Sequence, residues 1–329
     1  MPNLSLNWGS LIRVDSRWIN DFLITHTQNP TPKDKIVTRV YSIRFASTGE
    51  HMDGLVSYMR DKIVPYVYSD KEIDKLRADK IEPWPQARDH YFGAVDPASD
   101  GKCGEFLLYL LVEATLRTPM VAHKIRFIGD NPNTQVHGSD AVFIGKYRDF
   151  DCLLLGEAKM QQDKGVGIDE ALTSVNKFYS PSTSGQSTEN ELIVVRDMGT
   201  RNITKDQLKY LEKVVNIQTA EYRSITKAHP ILIVYDESKI KNIEIACRDA
   251  ADGEAKVLEQ FQGLDRHLLS TVIRKIDSDW HELKKVYLDF FFMPVTSVDK
   301  FRESFFQALH GMPYPKKKRK QRKGRRKTK

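Results

Sequence analysis

Residues 138–159 run Gly138-Ser139-Asp140, Ala141-Val142-Phe143-Ile144, Gly145-Lys146-Tyr147-Arg148, Asp149-Phe150-Asp151-Cys152-Leu153-Leu154-Leu155 and Gly156-Glu157-Ala158-Lys159. Two apolar runs of strand length flank a polar stretch that contains a glycine. This predicts two antiparallel strands joined by a hairpin near Gly145 to Arg148, which brings Asp140 beside Glu157. Burying a lone charge is costly, so such groups gather at strand ends where a partner, often a metal, compensates them. On an extended strand residues i and i+2 share a face, about 6.6 Å apart at ~3.3 Å per residue. Glu157 and Lys159 therefore point the same way, as a metal ligand and a water-orienting amine would need. The expectation is a divalent-metal phosphodiesterase site. Asp140 and Glu157 would hold Mg²⁺ or Mn²⁺ through oxygen atoms, the metal lowering the pKa of a bound water that Lys159 orients.

Glu-x-Lys proves little alone, because the chain has it at Glu157, Glu237, Glu254 and Glu282. The last two fall at a predicted helix start and in a polar stretch, where surface charge is the ordinary outcome. Glu237 follows a good strand, yet it lacks an upstream strand with its own acid at a turn. Other chemistries fare worse. Gly138 to Lys146 spaces its glycines wrongly for a Walker-type loop, His281-Glu282 lacks a second histidine, and no Gly-x-Ser-x-Gly elbow occurs.

Working outward, Phe106, Leu107, Tyr109, Leu110, Leu111 and Ala114 predict a buried helix over 102–117. Glu105 sits in its first turn. It could add a carboxylate to the site or simply complement the helix dipole. Strands are expected at Lys124–Ile128, Ala141–Ile144 and Asp149–Leu155, the last ending at the charged triplet. Gly165 and Gly167 are expected to precede a helix through Ile168, Leu172, Val175 and Phe178. On it, Lys177 and Tyr179 could touch a backbone phosphate, although surface placement is the simpler reading; His137 could do the same from a loop. Residues 180–190 form a low-complexity loop. Thr204-x-x-Gln207 reads as a capping box, Pro230–Tyr235 as a central strand, 254–276 as helix, Val286–Val295 as a strand and Val298–Leu309 as a last helix.

On the N-terminal side, Ile36–Phe45 reads as a strand. Met52, Leu55, Val56, Met59 and Ile63 predict a helix over 51–64 stopped by Pro65, and Ser69-Asp70-Lys71-Glu72 a capping box opening a second, charged helix, with Pro83 and Pro85 ending this section of the chain. Asp96 to Gly101 is dense in turn residues. The expected division is an N-terminal accessory region, 1–95, a catalytic domain, 96–312, and a disordered basic tail, 313–329. Interleaved strands and helices favour an α/β or mixed α+β sandwich.

The net charge of +7 belongs to the tail. Residues 316–329 hold 11 of the 51 basic residues and no acid; without them 40 basic residues face 44 acidic ones, a net of −4. Such a run suits phosphate contacts through Lys316, Lys317, Lys318, Arg319 and Lys320, and also looks like a nuclear import signal. Three widely spaced cysteines fit reduced thiols in a cytosolic protein, and no apolar run reaches the ~20 residues of a membrane span.

The order of a helix with Gly104-Glu105, then Gly138-Ser139-Asp140, then Gly156-Glu157-Ala158-Lys159, then a helix, resembles the PD-(D/E)xK nuclease superfamily, with Ser139 where the motif has proline. More narrowly, Gly-Glu-Phe-Leu-Leu-Tyr at 104–109, His-Gly-Ser-Asp at 137–140, Leu-Gly-Glu-Ala-Lys at 155–159 and Phe-Phe-Phe-Met-Pro-Val at 290–295 are similar to the HamA family, the nuclease subunit of the Hachiman anti-phage defence system. The resemblance implies a restriction-endonuclease-like core with Asp140, Glu157 and Lys159 catalytic. It implies DNA as substrate, a bacterial cytoplasmic setting and a HamB-like superfamily-2 helicase that restrains the nuclease. Nuclear import would matter only in a eukaryotic host, and the resemblance does not explain the tail. The rival expectation is a non-catalytic nucleic-acid-binding or scaffold subunit that uses the tail as its arm.

Overall fold

The computed structural model describes residues 6–27, 35–92, 101–123, 139–179, 203–216 and 218–314. Its strands are β1 (Leu23–Thr25), β2 (Ile36–Ile43), β3 (Phe45–Ala46), β4 (Gly49–Glu50), β5 (Met120–His123), β6 (Ala141–Tyr147), β7 (Phe150–Gln161), β8 (Thr226–Asp236) and β9 (Tyr287–Val295). The helices are α1 (Arg17–Phe22), α2 (Met52–Asp61), α3 (Ile63–Val67), α4 (Asp70–Ala78), α5 (Pro83–Phe92), α6 (Lys102–Thr115), α7 (Lys164–Asn176), α8 (Lys205–Val215), α9 (Ala220–Ser224), α10 (Ser238–Ala246), α11 (Ala250–Gln260), α12 (Leu264–Asp279) and α13 (Val298–His310).

Seven strands form one mixed sheet in the order β1-β2-β9-β8-β7-β6-β5. The central pairs β2–β9, β9–β8 and β8–β7 are parallel, while β1–β2, β7–β6 and β6–β5 are antiparallel. The run Pro230–Tyr235 is the middle strand, buried throughout, as a parallel strand covered on both faces must be. Helices cover the two faces. On one, α2, α6 and α13 bury Leu55, Met59, Phe106, Leu110, Phe301 and Phe305 against the sheet. On the other, α7 and α12 bury Ile168, Leu172, Leu268 and Val272 against Ile231, Ile233, Phe290 and Phe292. The fold is the expected α/β sandwich. The division expected near residue 95 falls between elements that share one sheet and one core: β2 pairs with β9, and Trp18 and Leu55 pack in the same cluster as Phe106 and Phe305.

Several local expectations shift. Pro65 lies inside α3 and Pro83 opens α5, because a proline in a first helical turn gives up only an N–H that has no partner there. Gly165 and Gly167 sit within α7, which Asp163 caps by accepting from the Val166 N–H at 3.0 Å. The helix expected over 254–276 is two, broken where Gly263 adopts φ +74°. The hairpin turns at Arg148-Asp149, both at positive φ (49° and 73°), one step beyond the expected place. Gly145, which drew the turn earlier, instead lies within β6 at φ +155°, a backbone conformation that other residues rarely adopt. Among the described residues no helix is long and apolar enough to cross a membrane.

Candidate active site

The β6–β7 ladder positions the first two acids. Ala141 pairs with Gly156, so Asp140 stands at the mouth of β6 opposite Glu157. Its N–H donates to the Gly156 carbonyl at 2.9 Å, and its Oδ2 accepts from the Ala158 N–H at 2.9 Å. Two backbone bonds thus fix a carboxylate that is 6% exposed. The charged triplet does not end its strand, as expected, but lies inside β7, which continues to Gln161.

Alternation along β7 divides the triplet between the two faces. Ala158 and Met160 point toward α6, in the cluster that contains Phe106. Glu157 and Lys159 point the other way, toward α7. Lys159 Nζ lies 2.6 Å from Glu157 Oε1, and Ser174 of α7 bonds the same carboxylate. Burial, and then the neighbouring charge of Asp140, push Glu157 up to about 7, against the pull of Lys159 and Ser174. The Lys159 ammonium is held above its ordinary range: burial works against it but is outweighed by Glu157, Asp140 and Glu170. Glu170 is steered by Gln161, whose amide donates to it at 2.7 Å.

Glu105 comes from a different element. It is buried on α6, the helix that covers the opposite face of the sheet. It shares one neighbour with Asp140, since both charges add to the effect of burial in raising the Tyr66 hydroxyl well above its ordinary value. Among the described residues no three His, Cys, Asp or Glu side chains gather to hold a metal. Two carboxylates, Asp140 and Glu157, lie close enough for the charge of one to act on the other. Two acids forced close enough to raise a pKa, with oxygen donors only, suit a hard divalent cation, which commonly takes one or two protein carboxylates and completes its shell with water and phosphate.

The competing triplets are explained by local structure. Glu237 is the N-cap of α10 and accepts from the Lys239 N–H at 3.3 Å. Glu254 pairs with Arg44 at 2.6 Å, and Glu282 pairs with Lys285. Lys177 is exposed. Tyr179 is half-buried and bonds His229 at 2.8 Å instead of lying on the surface. His137 and Lys316 to Lys320 lie outside the described residues. Sequence reading missed Ser174 and Glu170. The available signal for Ser174 was its place one turn beyond Ala171, at the border of the buried stripe Ile168, Leu172 and Val175.

A family model described as HamA matches residues 17–309. Among curated proteins, none matches the chain.

Proposed function

The chain belongs to the HamA family of the Hachiman anti-phage defence system, and we propose that within it this protein is the metal-dependent deoxyribonuclease. The observation that carries the reading is the Asp140–Glu157 pair, buried at one strand mouth with the Lys159 amine 2.6 Å from Glu157. Asp140 and Glu157 would hold Mg²⁺ or Mn²⁺, which when bound supplies Lewis-acid polarisation of the phosphodiester and a more acidic water. Lys159 offers a fixed ammonium on the same face. It can orient the attacking water by hydrogen bonding and offset the negative charge that builds on the phosphorus oxygens. Ser174 holds the Glu157 carboxylate in register from α7. Glu105, from α6, is the further candidate carboxylate, and its charge and that of Asp140 act on the same Tyr66 hydroxyl.

A HamB-like superfamily-2 helicase would restrain the nuclease until foreign or damaged DNA is sensed. A division of labour of that kind agrees with a chain whose sequence has no Walker-type ATP loop. Calorimetric titration of Mn²⁺ into the full chain tests the metal site without requiring the partner. Wild type should bind and Asp140→Asn should not; a wild type that takes up no Mn²⁺ at neutral pH removes the proposal.

A further inference from the structure

Two residues before Glu157, on the same face of β7, Leu155 and Leu153 form the floor of a cavity of about 210 Å³. Phe178 and Tyr179, just past the end of α7, make one wall; Tyr222 of α9 and Lys227 of β8 make the other. The Tyr179 ring is fixed. His229 Nδ1 lies 3.1 Å from the Leu155 carbonyl, which can only accept, so Nδ1 carries the proton and Nε2 accepts from the Tyr179 hydroxyl at 2.8 Å. Complete burial holds His229 neutral, its pKa lowered to about 3, so this clamp persists across the working pH range. Lys227 Nζ sits 3.8 Å from the centre of the Tyr222 ring and donates to the Tyr222 carbonyl at 3.3 Å, which fixes the second wall.

We propose that this cavity takes one unstacked nucleobase of the strand whose phosphate lies at Asp140 and Glu157. The inference rests on the nuclease reading above. Its volume is below the roughly 300–1,000 Å³ of sites for drug-sized ligands and suits a single planar heterocycle. Three aromatic rings and two leucines give stacking and apolar contact, and one amine gives a donor for a ring carbonyl or ring nitrogen. The distance fits as well: Leu155 and Glu157 are about 6.6 Å apart along the strand, the scale that separates a backbone phosphate from a neighbouring base. Burial lowers the Lys227 pKa, which reduces the cost of pressing that amine against an uncharged ring. An enzyme that receives a base here acts on single-stranded or locally opened nucleic acid, which a helicase supplies.

The test measures binding of a fluorescent single-stranded oligonucleotide to the full chain in EDTA, where no cleavage occurs, and cleavage of the same oligonucleotide in Mg²⁺. Leu155→Trp fills the cavity, while Tyr222→Ala and the milder Lys227→Met strip one wall. Leu155→Trp and Tyr222→Ala should each weaken binding about tenfold, within what base stacking supplies. Scanning a single abasic position along the oligonucleotide should find one place where wild type loses the same factor and Leu155→Trp loses nothing further. Circular dichroism melts identify any variant that fails to fold, and the remaining two then carry the test. Unchanged affinity in folded variants, or an abasic loss that adds to that of Leu155→Trp, overturns the base pocket. With wild-type cleavage intact, that outcome leaves the nuclease reading standing. Wild type that binds through the pocket and never cleaves, even with its partner, sinks the nuclease reading and spares the pocket.

Discussion

Glu50 and Glu157 are both carboxylates pushed up to about 7 by burial, yet their surroundings give them different roles. Glu50 accepts from the Thr296 N–H at 2.8 Å, and its own N–H donates to Glu244 at 3.1 Å, so it ties β4 to the end of β9 and to α10. Glu157 has an amine at 2.6 Å and a second acid beside it. A raised pKa alone therefore does not mark the site; the lysine and the paired aspartate do. The Glu50 shift has a stability consequence. Its folded pKa lies above the unfolded 4.5, so its contribution is complete below pH 4.5 and is lost as pH rises through about 7, worth roughly 3 kcal/mol at most. Glu50→Gln keeps the acceptor and removes the titration. Urea unfolding at pH 5 and pH 8 should show a smaller loss of stability in the variant than in wild type, and equal losses would contradict the assignment. At Glu157 the same sign acts on metal binding, because a cation must displace the proton. Mn²⁺ affinity should rise as pH climbs from 6 through about 7, and a flat profile would speak against Glu157 as a ligand.

Two elements, α6 and β7, place these residues, and Gly104 governs how closely they approach. A Cβ there would lie 3.1 Å from Met160 Cγ and 3.4 Å from the Ala158 Cβ, in the strand that carries Glu157 and Lys159. Gly104→Val should cost about 1–3 kcal/mol through overpacking and lower the melting temperature; an unchanged melt would show that the contact yields freely. At this scale the sequence was legible where a pattern is local and unambiguous. Pro230–Tyr235 is the middle strand, the Ser69 and Thr204 capping boxes form as expected, and Gly311 closes α13 in the left-handed conformation. It was misleading where one residue type serves two purposes. Pro65 reads as a helix stop but occupies a first turn, where no N–H partner is lost. Gly145 read as the hairpin turn but lies within β6 at φ +155°, leaving the turn to Arg148-Asp149, a pair without the usual glycine. The pairing of Asp140 with Glu157 was readable because a hairpin is local. Which face of the sheet α6 covers was not, because that is decided by contacts distant in sequence.

Over the whole molecule, charge and chemistry are separated. The candidate site lies in a body of net charge −4, whereas the cations suited to a phosphate backbone are concentrated in residues 316–329. If that tail is the nucleic-acid arm, its removal should weaken DNA binding and flatten the dependence of log affinity on log salt; unchanged slope and affinity would leave it without a binding role. The described residues contribute the candidate site and, on the same sheet face, the base-sized cavity, both built on β7 and both next to α7. Membership of the HamA family makes the chain a component of the Hachiman defence system, and the Asp140, Glu157 and Lys159 arrangement supplies the reason to regard it as the part that cuts. The most direct measurement compares DNA cleavage in Mg²⁺ by wild type and by Glu157→Ala, Lys159→Ala protein, each assayed alone and with the proposed partner helicase. The account predicts cleavage by wild type in at least one of those conditions and its loss, by a hundredfold or more in order of magnitude, in the double variant. Undiminished cleavage by a folded double variant would contradict it.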